Sequence, residues 1–281
     1  MLRDAHARSR ILGVQDRHRR EVPKIRPDRT GALLADPPEP GVDDGWALFL
    51  DVDGTLLDFA EHPDRVEVGA ALHHDLARMR RRLDGAVTLL SGRPLSQLDD
   101  LFGWHGHAAA GLHGAELRTP DGREHFTGDA DRFAQTRARA VALAADSRGV
   151  VLEDKYRALA LHFRQEPGAG ATAQHIAESL LRGAGDAYTL QHGDHVIELK
   201  PAGMDKGGAL AALAALPPFR GRQPWMLGDD LTDEDAFRHI NAMDGVSVIV
   251  GARRPTAARY ALPGPAAVRA WLHALAADTV M

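Results

Sequence analysis

The chain of 281 residues contains no cysteine, which removes disulfide scaffolds, thiol nucleophiles and Cys-containing zinc sites. It has no apolar run near the ~18 residues that would span a bilayer. Nor does it open on the apolar stretch of a signal peptide, so a cytoplasmic protein is the expectation. It lacks a basic excess: the formal net charge is -5, which argues against a nucleic-acid partner. Fifteen histidines are present, but none falls at the HExxH spacing of a zinc site. What remains is an ordinary globular composition, 44% hydrophobic, enough to bury a sizeable core.

Residues 1–44 are rich in Arg, His, Pro and Asp without sustained periodicity, and Asp36-Pro37-Pro38-Glu39-Pro40-Gly41 closes them as a breaker cluster. The segment reads as a flexible, solvated extension. Beyond it the run Leu48-Phe49-Leu50-Asp51-Val52-Asp53-Gly54-Thr55 reads as a short buried strand ending in a turn. Side chains two apart on a strand share a face, so Asp51 and Asp53 can converge roughly 6 to 7 Å apart. Two carboxylates there suit a hard cation such as Mg²⁺, although Asp and Gly are also ordinary turn residues.

Leu72, Leu76, Met79 and Leu83 have the spacing of an amphipathic helix over 68–83, and 86–90 reads as a second buried strand ended by Ser91-Gly92-Arg93-Pro94. Strand, helix and strand in this rhythm suggest a parallel sheet. Ser91 then sits beside a helix N-terminus, either as its cap or as a phosphate contact. Residues 108–117 read as a third strand with a glycine-flanked turn at His113. From 118 to 199 the pattern changes to helices over 129–147 and 171–182 and paired strands over 150–153, 159–163, 188–191 and 196–199. That is an inserted α+β layer, with Glu153, Lys155, His162, Arg164, Glu198 and Lys200 as its polar candidates. Charges alternating along strands are usually a solvated face, so each alone is weak.

The first sheet resumes after 200. Lys206 opens a helix, where a cation is unfavourable for the dipole unless it meets an anion. A short strand over 225–228 then ends in Asp229-Asp230-Leu231-Thr232-Asp233-Glu234-Asp235. A helix start explains Thr232, Glu234 and Asp235 but not Asp229. The organisation expected is a core over 45–117 and 200–281 with an insert over 118–199.

LDVDGTL, the SGR triplet at Ser91–Arg93, DKG at 205–207 and GDDLTDEDAF at 228–237 resemble the four ordered motifs of the haloacid dehalogenase superfamily. Within it, FLDVDGTL, GLHGAE and ELKPAGMDKG resemble the trehalose-6-phosphate phosphatases over about 46–275. The resemblance implies a Rossmann-like parallel-sheet core with an inserted α+β cap, and Mg²⁺-dependent hydrolysis through an aspartyl phosphate. It implies Asp51 as nucleophile, Asp53 as general acid and base, and Ser91 and Lys206 on the transferring phosphoryl group. Metal ligands would be the Asp51 carboxylate, the Asp53 backbone carbonyl and Asp229, supported by Asp230 or Asp233. Substrate would also meet Thr55 and Arg93, and its sugar His113, Glu153, Lys155, His162 and Glu198, with Arg164 and Lys200 as further candidates. The partner implied is a small-molecule sugar phosphate, with no nucleic acid and no membrane, made by a separate synthase and acted on by a monomer. Other sugar phosphates, a phosphomutase and a non-catalytic sensor are the competing readings.

Overall fold

A computed structural model describes residues 34–40, 45–58, 67–127, 130–155, 157–193 and 195–277. For 1–33 and 41–44 the expected flexible extension lies outside the described residues. Residues 34 and 35 touch the core domain. Leu34 packs against the main core, and the Ala35 carbonyl accepts the Ala261 amide at 3.0 Å, satisfying an otherwise open sheet edge.

The first strand, β1 (Trp46–Leu50), is buried along its whole length. A strand of a parallel sheet is covered on both faces, which is why it reads as a continuous apolar run. After it come α1 (Ala70–Arg82), β2 (Val87–Leu90), α2 (Leu95–Phe102) and β3 (Ala109–Gly111). The later half of the sheet is α5 (Lys206–Ala214), β10 (Gln223–Gly228), α6 (Asp233–Ala242), β11 (Val246–Val250), β12 (Tyr260–Leu262) and α7 (Pro265–Ala277). The spatial order is β12-β11-β10-β1-β2-β3, all parallel. The chain leaves β1 to one side and returns on the other, so the switch point lies between β1 and β10, where open sheets bind ligands. Leu50 pairs with both Leu227 and Leu89, which brings the loops after β1, β10 and β2 out at one level.

The third expected strand breaks at the expected turn around His113, and the turn is a full reversal. Leu112 and His113 both have left-handed backbones, with φ of 48° and 56°, and the chain reverses there. β4 (Glu116–Arg118) returns antiparallel to β3. β5 (Glu124–Phe126) follows through the Asp121-Gly122 turn, so the eight-stranded sheet extends past the expected boundary at 118.

A second, four-stranded antiparallel sheet contains β6 (Val151–Asp154), β7 (Leu159–His162), β8 (Tyr188–Gly193) and β9 (Val196–Pro201), in the order β6-β7-β9-β8. α3 (Ala130–Ala145) and α4 (Gly170–Ala184) cover one face; residue 129, where the first helix was expected to start, lies outside the described residues. Leu159, Leu161, Ile197 and Leu199 pack in a core of their own with Ile176 and Leu180. By the two-residue period, Glu153, Ala160, His162, Glu198 and Lys200 occupy the opposite face. Glu198 and Lys200 are buried, so this is not a solvated face. Among the described residues no helix is long and apolar enough to cross a membrane.

Candidate active site

At the end of β1 the Asp51 amide bonds to the Leu227 carbonyl at 2.9 Å, and the chain folds into a tight turn closed by Gly54 donating to the Leu57 carbonyl at 2.8 Å. Gly54 has φ +80°, and a Cβ there would overlap the Asp229 carboxylate. Only glycine lets these two loops approach so closely. Lys206, the first residue of α5, is 2% exposed and places its Nζ between two carboxylates, 2.6 Å from Asp51 Oδ1 and 2.7 Å from Asp233 Oδ1. Asp205 before it caps the helix by accepting the Gly208 amide at 2.7 Å.

Asp51, Asp229 and Asp233 bring ligand oxygens within 4.8 Å of one another. Burial pushes Asp51 and Asp233 well above the usual carboxylate range, against the pull of Lys206. Burial and the neighbouring Asp233 push Asp229 up to about 7. Burial alone would lower Lys206, yet Asp233 and Asp51 hold it well above an ordinary lysine. Three carboxylates thus crowd around one ammonium. A hard divalent cation with oxygen ligands fits this set, because it supplies the missing positive charge and the Gly54 cradle leaves Asp229 room to turn inward.

The carboxylates of Asp230 and Asp53 are engaged elsewhere; the ligand implied at Asp53 is its backbone carbonyl, which the Arg93 pair does not involve. Asp230 Oδ1 accepts both the amide and the hydroxyl of Thr232, at 2.8 and 2.6 Å, turning the chain into α6. Its carboxylate falls outside the trio, whereas Asp233 belongs to it. The Asp53 carboxylate is gripped by Arg93, Nε to Oδ2 at 2.7 Å and Nη2 to Oδ1 at 2.6 Å. Thr55, a candidate substrate contact, donates to Asp229 Oδ1 at 3.3 Å and so touches the acidic trio.

Ser91 ends β2 and is buried, its Oγ accepting the Arg93 amide at 3.1 Å. It does not cap α2, whose N-cap is Pro94. Glu116 does that work from β4, accepting the Leu95 amide at 2.7 Å, a favourable place for a carboxylate. The reversal at His113 packs under the same loop: a Cβ on Gly92 would lie 2.8 Å from the His113 ring. Sequence reasoning passed over Glu116, although it closes the GLHGAE stretch.

From the second sheet, Glu198 Oε2 lies 3.5 Å from Lys155 Nζ and 3.5 Å from His113 Nε2, joining the two sheets. Burial alone would raise Glu198, but Lys155 and His113 hold it at about 2. Burial lowers His113 below an ordinary histidine. His113 Nδ1 and Glu198 Oε1 are buried without a hydrogen-bond partner, and such orphans suit a ligand's hydroxyls. Glu153 and His162 pair at 2.8 Å on the same face. Lys200 donates to the Met204 carbonyl at 3.1 Å where β9 leaves the sheet. Arg164 lies beyond the end of β7, where the chain turns away, and is exposed.

A family model described as trehalose-phosphatase matches residues 49–266. A probable trehalose-phosphate phosphatase of Sinorhizobium fredii is 43% identical over 234 residues, 83% of this chain and 88% of the relative. A trehalose-6-phosphate phosphatase of Escherichia coli is 38% identical over 228 residues, 81% of this chain and 85% of its own. Among solved structures, the C-terminal domain of a C. albicans trehalose-6-phosphate phosphatase superposes with a TM-score of 0.70 at 21% identity, covering 86% of this chain and 99% of that domain.

Proposed function

Because the chain belongs to the trehalose-phosphatase family of the haloacid dehalogenase superfamily, we propose that it hydrolyses trehalose 6-phosphate to trehalose and phosphate at Asp51. The observation that carries this reading is the convergence of Asp51, Lys206, Asp229 and Asp233 at the strand ends of the switch point, facing the polar side of the second sheet.

Asp51 would attack phosphorus as the bond to the sugar oxygen breaks, giving an aspartyl phosphate. Lys206, anchored by Asp51 and Asp233, orients the nucleophile and offers its ammonium to a phosphoryl oxygen, with Ser91 beside it at the end of β2. Asp53 would protonate the departing oxygen and then take the proton of the water that frees Asp51. For that, its bidentate pair with Arg93 has to open, so Arg93 orients Asp53 between turnovers.

The cation fitting the trio is Mg²⁺, with Asp51 and Asp229 as ligands and Asp233 holding their loop in place. When bound, it supplies the positive charge that lets an anionic nucleophile approach an anionic phosphate. The second sheet with α3 and α4 would act as the cap, its Glu153, Lys155, His162 and Glu198 and the core's His113 meeting sugar hydroxyls. A site built to pair hydroxyls rejects sugars that leave its buried polar groups unpaired. A cytoplasmic monomer fed by a separate synthase completes the proposal.

The test is phosphate release from trehalose 6-phosphate beside glucose 6-phosphate and sucrose 6-phosphate, with and without Mg²⁺. Metal-dependent release confined to trehalose 6-phosphate is expected. Comparable release from all of them would overturn the assignment of the cap face.

A further inference from the structure

Arg253 belongs to none of the sequence motifs, yet it wraps the loop that carries Asp229. Its Nε donates to the Asp229 carbonyl at 3.1 Å and its Nη2 to the Asp230 carbonyl at 3.0 Å. The same Nη2 pairs with Glu234 Oε1 on α6, while Glu234 Oε2 accepts the Ala257 amide at 2.7 Å. From the other side, Asp233 Oδ2 accepts the amides of Asp229 and Asp230, at 2.9 and 3.0 Å. Both residues therefore have amide and carbonyl held, the amides by a carboxylate and the carbonyls by a guanidinium, and the peptide unit joining them is bonded at both ends.

We propose that Arg253 is a positioning residue that sets the affinity of the Asp51, Asp229 and Asp233 trio for a divalent cation. This rests on reading that trio as the metal site. With both ends of its backbone fixed, the Asp229 side chain leaves the loop in one direction, toward Asp51, where Thr55 steadies one oxygen. A rigid planar fork suits the task, because a guanidinium holds its donors at a fixed spacing that two successive carbonyls can share, whereas a lysine ammonium is a point charge on a flexible stem. Glu234 balances the guanidinium charge, so that a cation on one side of the loop is not opposed by an unpaired cation on the other. Freed of Arg253, the carbonyls can rotate and Asp229 loses its fixed orientation; outer partners of this kind set metal affinity although they touch no metal.

A purely structural staple would change stability and leave the affinity of the folded protein alone, so the readout is direct binding of Mn²⁺, followed by electron paramagnetic resonance. Arg253→Met, folded by circular dichroism, is expected to bind Mn²⁺ about 10- to 100-fold more weakly than the wild type. The KM for trehalose 6-phosphate at saturating metal is expected to stay unchanged. Arg253→Lys, which keeps the charge and can reach one carbonyl, is expected to fall between the two, and it carries the test should Arg253→Met not fold. Unchanged Mn²⁺ affinity in either folded variant overturns the proposal. Asp229→Asn separates the two failures. Mn²⁺ binding lost in Asp229→Asn but kept in Arg253→Met overturns the role of Arg253 alone, whereas equal binding by wild type and Asp229→Asn overturns the metal site and this inference with it.

Discussion

Arg93 grips both carboxylate oxygens of Asp53, at 2.7 Å from Nε and 2.6 Å from Nη2, so both are engaged before a sugar phosphate arrives. A bidentate pair of this kind is directional as well as strong, and it fixes where Asp53 points before substrate arrives. Asp53→Asn is expected to lower kcat by about 10²- to 10⁴-fold, the usual worth of a general acid and base. If Arg93 acts through Asp53, the double variant with Arg93→Met will be no slower than Asp53→Asn alone. Multiplying losses in steady-state kinetics would show instead that Arg93 meets the substrate directly.

Lys206 and Asp51 should differ in what they do for stability. Lys206→Met leaves Asp51 and Asp233 buried without their shared counter-charge, a loss of about 3–5 kcal/mol by analogy with broken buried pairs. Asp51→Asn thins a crowded acidic cluster and leaves Lys206 its bond to Asp233, so little or no stability should be lost although turnover stops. Urea unfolding in the presence of a chelator distinguishes them, and equal losses would contradict the crowding argument.

Gly54 faces Asp229 so closely, with φ +80°, that alanine demands both backbone strain and a displaced carboxylate. Gly54→Ala is expected to lose about 1–3 kcal/mol and to weaken Mg²⁺ binding, read by calorimetric titration. Unaltered Mg²⁺ affinity would mean that the approach of these two loops does not shape the metal site.

Glu198 carries a pH signature. Its folded value of about 2 lies below the unfolded 4.5, so on acidification the unfolded chain takes up its proton first. The stability Glu198 contributes is therefore full above pH 4.5 and drains away as pH falls toward 2. Wild type should be more stable than Glu198→Gln near neutral pH, and the gap should narrow progressively below about pH 5 in urea titrations. A constant gap would show that the charge of Glu198 is not what Lys155 and His113 recognise.

The core of the site is legible in sequence because a parallel strand buried on both faces is an uninterrupted apolar run, and Leu48-Phe49-Leu50 stops at Asp51. Asp229 is legible for a similar reason, being an acid directly at the end of a buried strand that a helix start does not explain. The turn at His113 is legible from its flanking glycines, but the full reversal is not, since it needs positive φ at both Leu112 and His113, which non-glycine residues rarely adopt. Without it, β4 and β5 cannot be assigned to the first sheet. That Asp233 and not Asp230 groups with Asp51 and Asp229 is a matter of loop geometry, because the Thr232 amide captures the Asp230 carboxylate. Arg253 and Glu116 act on backbone carbonyls and amides, which carry no residue signature, so only the fold reveals them.

The central claim is that Asp51 takes the phosphoryl group. The most direct measurement is rapid acid quenching of the enzyme during turnover of trehalose 6-phosphate, followed by mass spectrometry of its peptides. One phosphoryl group on the peptide containing Asp51, absent in Asp51→Asn, is the result the account predicts. Phosphate release without any phosphorylated peptide, or with the group on another residue, would contradict it.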